Sequence, residues 1–110
     1  MNTIHKRLLK DGKDAIFIQD HQGLKNIYAQ TLNRDYQLHI GDLFLKLFYY
    51  ACKHNRKSTI LFLFRMYFEI FTDGEKLALR QAFYYGKVKI KEKETKKWYN
   101  DNILPVIKIK

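Results

Sequence analysis

Residues 42–53 read DLFLKLFYYACK, and residues 58–71 read STILFLFRMYFEIF. Leu43 through Cys52 is apolar except for Lys46, and Ile60 through Phe71 is interrupted only by Arg65 and Glu69. Asp42 and Ser58 are residue types whose side chains accept hydrogen bonds from the first free N–H groups of a helix. The pattern therefore predicts two helices, 42–53 and 58–71, joined by a short turn. Helices that are apolar almost all round are buried on most sides, so this hairpin is expected at the centre of the domain. A membrane hairpin does not fit. The longest uncharged run, Ser58 to Phe64, has seven residues, against the 18 or so that a span requires.

Outward from the hairpin, the same periodicity predicts further helices near 3–10, 22–33 and 73–85. Thr3 can cap the first, with Ile4, Leu8 and Leu9 on one face and Asp11-Gly12 as its stop. Ala15-Ile16-Phe17-Ile18 is a short apolar run of ambiguous type. Leu24, Ile27, Tyr28 and Leu32 share a helical face, and Asn33-Arg34-Asp35 reads as a turn. Thr72-Asp73-Gly74-Glu75 has the capping-box pattern, and Gly86 is placed to end the helix it starts. The expected core includes Leu43, Leu47, Phe48, Leu61, Phe64, Met66, Phe68, Leu77 and Phe83.

The C-terminal segment is ambiguous. Lys87-Val88-Lys89-Ile90-Lys91 alternates with period two, and Val106-Ile107-Lys108-Ile109-Lys110 nearly repeats it. Two strands flanking a helix with Trp98, Tyr99 and Ile103 would fit. The rival is one long basic helix ending before Pro105. The expected fold is thus mainly α, a compact bundle of about five helices around the 42–71 hairpin, with a small C-terminal β element left open.

Composition narrows the class. A chain of 110 residues, 46% apolar and 15% aromatic, suits a single domain, 1–110, with a real core. One proline and five glycines are too few for a many-turned β-sandwich. A lone cysteine, Cys52, rules out an intrachain disulfide framework, and the basic N-terminus lacks the apolar stretch of a signal peptide. A cytoplasmic setting is the expectation.

The net charge is +10, and it is clustered. Residues 1–13 carry Lys6, Arg7, Lys10 and Lys13 against Asp11; 53–57 carry Lys53, Arg56 and Lys57 with no acid; 87–97 carry six lysines against Glu92 and Glu94. Solvated surface lysines account for such runs in many proteins. If folding gathers them on one face, they are instead what an acidic partner requires.

Residues that carry chemistry are sparse. His5, His21, His39 and His54 are too dispersed for a metal motif, and Cys52 with His54 would need further ligands. Asp35, His39 and Asp42 form the best acid–base group, although Asp42 reads first as a helix cap. There is no glycine-rich phosphate loop, nucleophile elbow or HExxH. A helix-turn-helix at 42–71 fails because residues 58–71 leave almost no polar face to read base edges. No catalytic residue, metal or cofactor is assigned.

The expected function is that of a non-enzymatic protein that contacts and blocks an acidic protein partner, as inhibitors, immunity proteins and antitoxins do. The expected contact residues are Lys53, Arg56, Lys57, Lys89, Lys91, Lys93, Lys96, Lys97, Trp98 and Tyr99, since lysine and arginine clusters steer and aromatics anchor. The alternative is sequence-independent RNA or DNA binding by the lysine clusters, with Trp98 and Tyr99 as stacking platforms.

Overall fold

The structure, a computed structural model, describes residues 3–31 and 40–107. In chain order these form α1 (Thr3–Phe17), α2 (His21–Thr31), α3 (Ile40–Lys53), α4 (Lys57–Ile70), α5 (Asp73–Lys89), α6 (Lys93–Asn102) and a four-residue helical turn, α7 (Leu104–Ile107). There is no strand among the described residues. The mainly α expectation therefore holds, with six helices and a short turn in place of about five helices.

The hub is α3, which packs against α1, α4 and α5, while α2 leans on α1, and α6 and α7 close against α5. Its buried face is Leu43, Phe44, Leu47, Phe48, Ala51 and Cys52. Those positions recur at three- and four-residue steps, so they form one stripe of a helix. Phe44 and Phe48 meet Phe83 of α5 at ring-centroid distances of 6.1 and 5.1 Å, and Tyr67 of α4 reaches the same ring at 4.6 Å. Rings at these separations and edge-on angles gain beyond simple burial. The Tyr67 hydroxyl donates to the Lys76 carbonyl at 2.6 Å, tying α4 to the start of α5.

Several local expectations need correction. α1 does not stop at Gly12 but runs on to Phe17, taking in the ambiguous run at 15–17. α3 begins at Ile40, so Asp42 lies in its first turn instead of capping it; its carboxylate meets His5 Nε2 at 3.2 Å and Lys46 Nζ at 3.1 Å. α4 begins at Lys57 without a side-chain cap, and the Ser58 hydroxyl donates to Gln19 instead. Residues 87–89 continue α5, and Val106 and Ile107 are helical, so the strand reading fails on the described residues. The Asn33-Arg34-Asp35 turn, the last two residues of the 22–33 helix, His39 and residues 108–110 lie outside the described residues.

The expected core is also less complete than the sequence implies. Leu43, Leu47, Phe48, Phe64, Met66 and Phe83 are buried as expected, but Leu61 is half-buried, Phe68 is 45% exposed and Leu77 is 67% exposed. On α3 the outward stripe is Lys46, Tyr49, Tyr50 and Lys53. A central helix in so small a domain has neighbours on only some of its sides.

Candidate contact surface

Lys46, Tyr49, Tyr50 and Lys53 are spaced i, i+3, i+4, i+7, which puts them on one face of α3. Lys13 arrives from α1 and Lys89 from the last turn of α5, and with Leu9 the six side chains line a pocket of about 280 Å³. Lys13 Nζ stands 5.5 Å from the Tyr50 ring centroid, and Lys89 Nζ stands 5.0 Å from that of Tyr85 and 5.9 Å from that of Tyr49. One lysine from each of the three charged clusters thus meets Lys46 at a single place.

Tyr49 and Tyr85 pack at 5.4 Å between centroids, and beyond them the surface becomes apolar. An open groove of about 1380 Å³ follows α5, with Leu45, Leu77, Tyr84, Tyr85, Val88 and Leu104 among its walls. Its origin is the two-sidedness of α5. Leu79, Ala82, Phe83 and Gly86 face inward, which turns Leu77, Gln81, Tyr84, Tyr85 and Val88 outward. Leu77 and Val88 are 67% and 68% exposed. Arg80 forms part of the wall and donates from Nε to the Ile107 carbonyl at 3.2 Å, holding α7 against α5.

No aspartate or glutamate lines either the groove or the pocket. Tyr49 belongs to both. Desolvation, then the neighbouring Tyr85 and Cys52, push its phenol ionisation upward, so it remains a hydrogen-bond donor.

Of the residues expected from sequence to touch a partner, Lys53 and Lys89 lie in this surface. Arg56 is half-buried over the Phe17 ring at 5.0 Å, and Lys57 opens α4. Lys91, Lys93 and Lys97 are exposed away from the groove, and Lys96 is half-buried on α6. Trp98 is partly buried against the core. Tyr99 is completely buried, its hydroxyl donating to the Phe83 carbonyl, so it has no surface for a partner. Sequence reasoning missed Lys13, Lys46, Leu77 and Val88. The spacing of Lys46, Tyr49, Tyr50 and Lys53 was the available signal.

The chemistry considered for other residues does not converge. Cys52 is buried while His54 is exposed and packs on Tyr50 at 4.4 Å. Among the described residues no group of three or more histidine, cysteine or carboxylate side chains could hold a metal, and no helix is long and apolar enough to cross a membrane. Of the acid–base group, Asp35 and His39 lie outside the described residues. Arg65 and Glu69 are exposed, and no ion pair among the described residues joins them. Comparison with protein-family models, with curated proteins and with solved structures returned no match.

Proposed function

We propose that this chain is a non-enzymatic contact protein that seats an acidic protein partner and blocks the surface it covers, in the manner of an inhibitor, immunity protein or antitoxin. The observation that carries the reading is the continuity of the apolar groove along α5 with the lysine pocket through Tyr49. Exposed apolar surface beside a concentrated charge of one sign is the pattern of an interface that anchors by burial and steers by charge. A polynucleotide would place phosphates along its whole track, whereas Arg80 is the one charged residue in the groove. The complementary partner carries an apolar ridge with carboxylates at one end. A buried, unpaired Cys52 suits a cytoplasmic setting.

Affinity purification at low salt, with and without nuclease and with wild-type and Val88→Glu protein, tests the reading. Wild type should retain a stoichiometric acidic protein after nuclease, and Val88→Glu should lose it. Retention by Val88→Glu, or recovery of nucleic acid with every protein lost on digestion, overturns it.

A further inference from the structure

The pocket around Tyr49 and Tyr50 gathers four lysines, of which only one has a carboxylate partner among the described residues. Lys46 is bonded to Asp42 at 3.1 Å. Lys13, Lys53 and Lys89 come from three helices, and among the described residues none of them is in an ion pair. Tyrosine faces offset part of the repulsion, since an exposed cation–π contact contributes about 0.5–1 kcal/mol. They supply no opposite charge.

Size and donor chemistry limit what can complete the site. At about 280 Å³ the pocket falls at the lower edge of small-molecule sites, which begin near ~300 Å³. A compact group fits better than a nucleoside or a folded segment. An ammonium offers three donors and a phenol one, and apart from Asp42 on Lys46 no carboxylate among the described residues pairs with these lysines. A single carboxylate would answer one charge. A phosphoryl group carries about −1.5 to −2 at neutral pH with three strong acceptor oxygens, and lysine is a common point-charge partner for it.

We propose that the pocket formed by Lys13, Lys46, Lys53, Lys89, Tyr49 and Tyr50 is a binding site for a small phosphoryl dianion, either inorganic phosphate or the phosphate of a small monoester. The site stands without any protein partner. Its consequence for one rests on the contact reading: a bound dianion cancels the charge that would draw carboxylates to this end of the groove.

The test is an NMR titration of the full chain, without other protein, using inorganic phosphate at ionic strength held constant with sodium chloride. Saturable shifts should concentrate at Lys13, Lys46, Tyr49, Tyr50, Lys53 and Lys89. The Lys53→Gln/Lys89→Gln double variant should bind at least about tenfold more weakly, a loss of about 1.4 kcal/mol. Lys25→Gln/Lys93→Gln, the same loss of two charges at exposed positions on α2 and α6 outside the pocket, should match wild type. Glycerol phosphate shifting the same residues assigns the site to monoesters as well, and failure of glycerol phosphate alone confines the ligand to the free ion. Shifts that match those of added chloride and never saturate overturn the proposal. So does equal weakening by Lys25→Gln/Lys93→Gln, which would trace the effect to net charge. Because no partner enters the experiment, either result leaves the contact reading to its own test.

Discussion

The Tyr99 hydroxyl occupies the space that a side chain at Gly86 would need. A Cβ built on Gly86 would stand 2.9 Å from that oxygen and 2.8 Å from Phe48 Cε2. Gly12 has the same relation to α3, where an added Cβ would lie 2.6 Å from Leu47 Cδ1. Both glycines sit inside helices, where glycine costs about 1 kcal/mol relative to alanine. Their value is close approach of α5 and α1 to the central helix.

Gly86→Ala should therefore destabilise the protein. Overpacking a well-packed site costs about 1–3 kcal/mol, and the gain in helix propensity of about 1 kcal/mol offsets only part of it. Gly74→Ala is the control, since nothing lies within 4 Å of an added Cβ there; it should be neutral or stabilising by up to about 1 kcal/mol. Urea unfolding of the two variants compares them. Equal stabilities would refute the close-packing account of Gly86.

These two glycines show what the sequence could and could not reveal. A glycine after an apolar run signals a helix end, but the same residue marks a close helix–helix approach, and only the partner helix distinguishes the two. The box at Thr72–Glu75 was legible because every atom in it is local: Glu75 N–H donates to Thr72 Oγ1 at 3.3 Å, and Thr72 N–H donates to Glu75 Oε1 at 2.9 Å. The alternation at Lys87–Lys91 misled because five residues cannot separate period two from a helix end. Lysines in the last turn of α5 also complement the partial negative charge of its carbonyls. Of the candidate contact surface, the three clusters and the α3 spacing could be read from the sequence but their convergence could not, since Lys13, Lys53 and Lys89 meet through tertiary packing.

Thr72→Ala removes the hydroxyl that starts α5 and should cost about 1 kcal/mol, within the usual 0.5–2 for an N-cap. Thr72→Ser keeps the acceptor and should recover most of the loss. Thermal or urea unfolding distinguishes them, and an unaffected Thr72→Ala protein would show that the tie from Tyr67 to Lys76 fixes the start of α5 unaided.

Alkaline pH should weaken the fold in two stages. Burial raises the ionisation of the Cys52 thiol and of the Tyr28 and Tyr99 phenols. In the unfolded chain the thiol ionises near 8.5 and the phenols near ~10. Above those values the unfolded state binds fewer protons than the native state, so stability falls as pH rises, by about 1.4 kcal/mol per pH unit for each group. The contribution is fully present below about pH 8.5, erodes through Cys52 first, and erodes more steeply above ~10 as the phenols join. Urea midpoints measured from pH 7 to 10.5 should trace this curve. Cys52→Ala should flatten its first stage even if the variant is less stable throughout, and a midpoint constant over the whole range would contradict the burial of these groups.

On the proposed contact reading, the two ends of the candidate surface should separate kinetically. Lys53 is exposed and Lys89 half-exposed at the cationic end, so Lys53→Glu with Lys89→Glu acts mainly on the long-range field. Steering changes association rates by about 10- to 10³-fold, and the double variant should lose about tenfold or more in on-rate, with a weaker salt dependence and little change in off-rate. Leu77 carries no charge and is 67% exposed in the free protein. Leu77→Ala should therefore leave the on-rate alone and speed dissociation, costing at least about 1 kcal/mol if the side chain is an anchor. Stopped-flow association at two salt concentrations, with dissociation measured by competition, resolves both effects. If the charge reversals act on dissociation alone, the lysines make close contacts and do not steer. If Leu77→Ala changes neither rate, the partner does not occupy the groove.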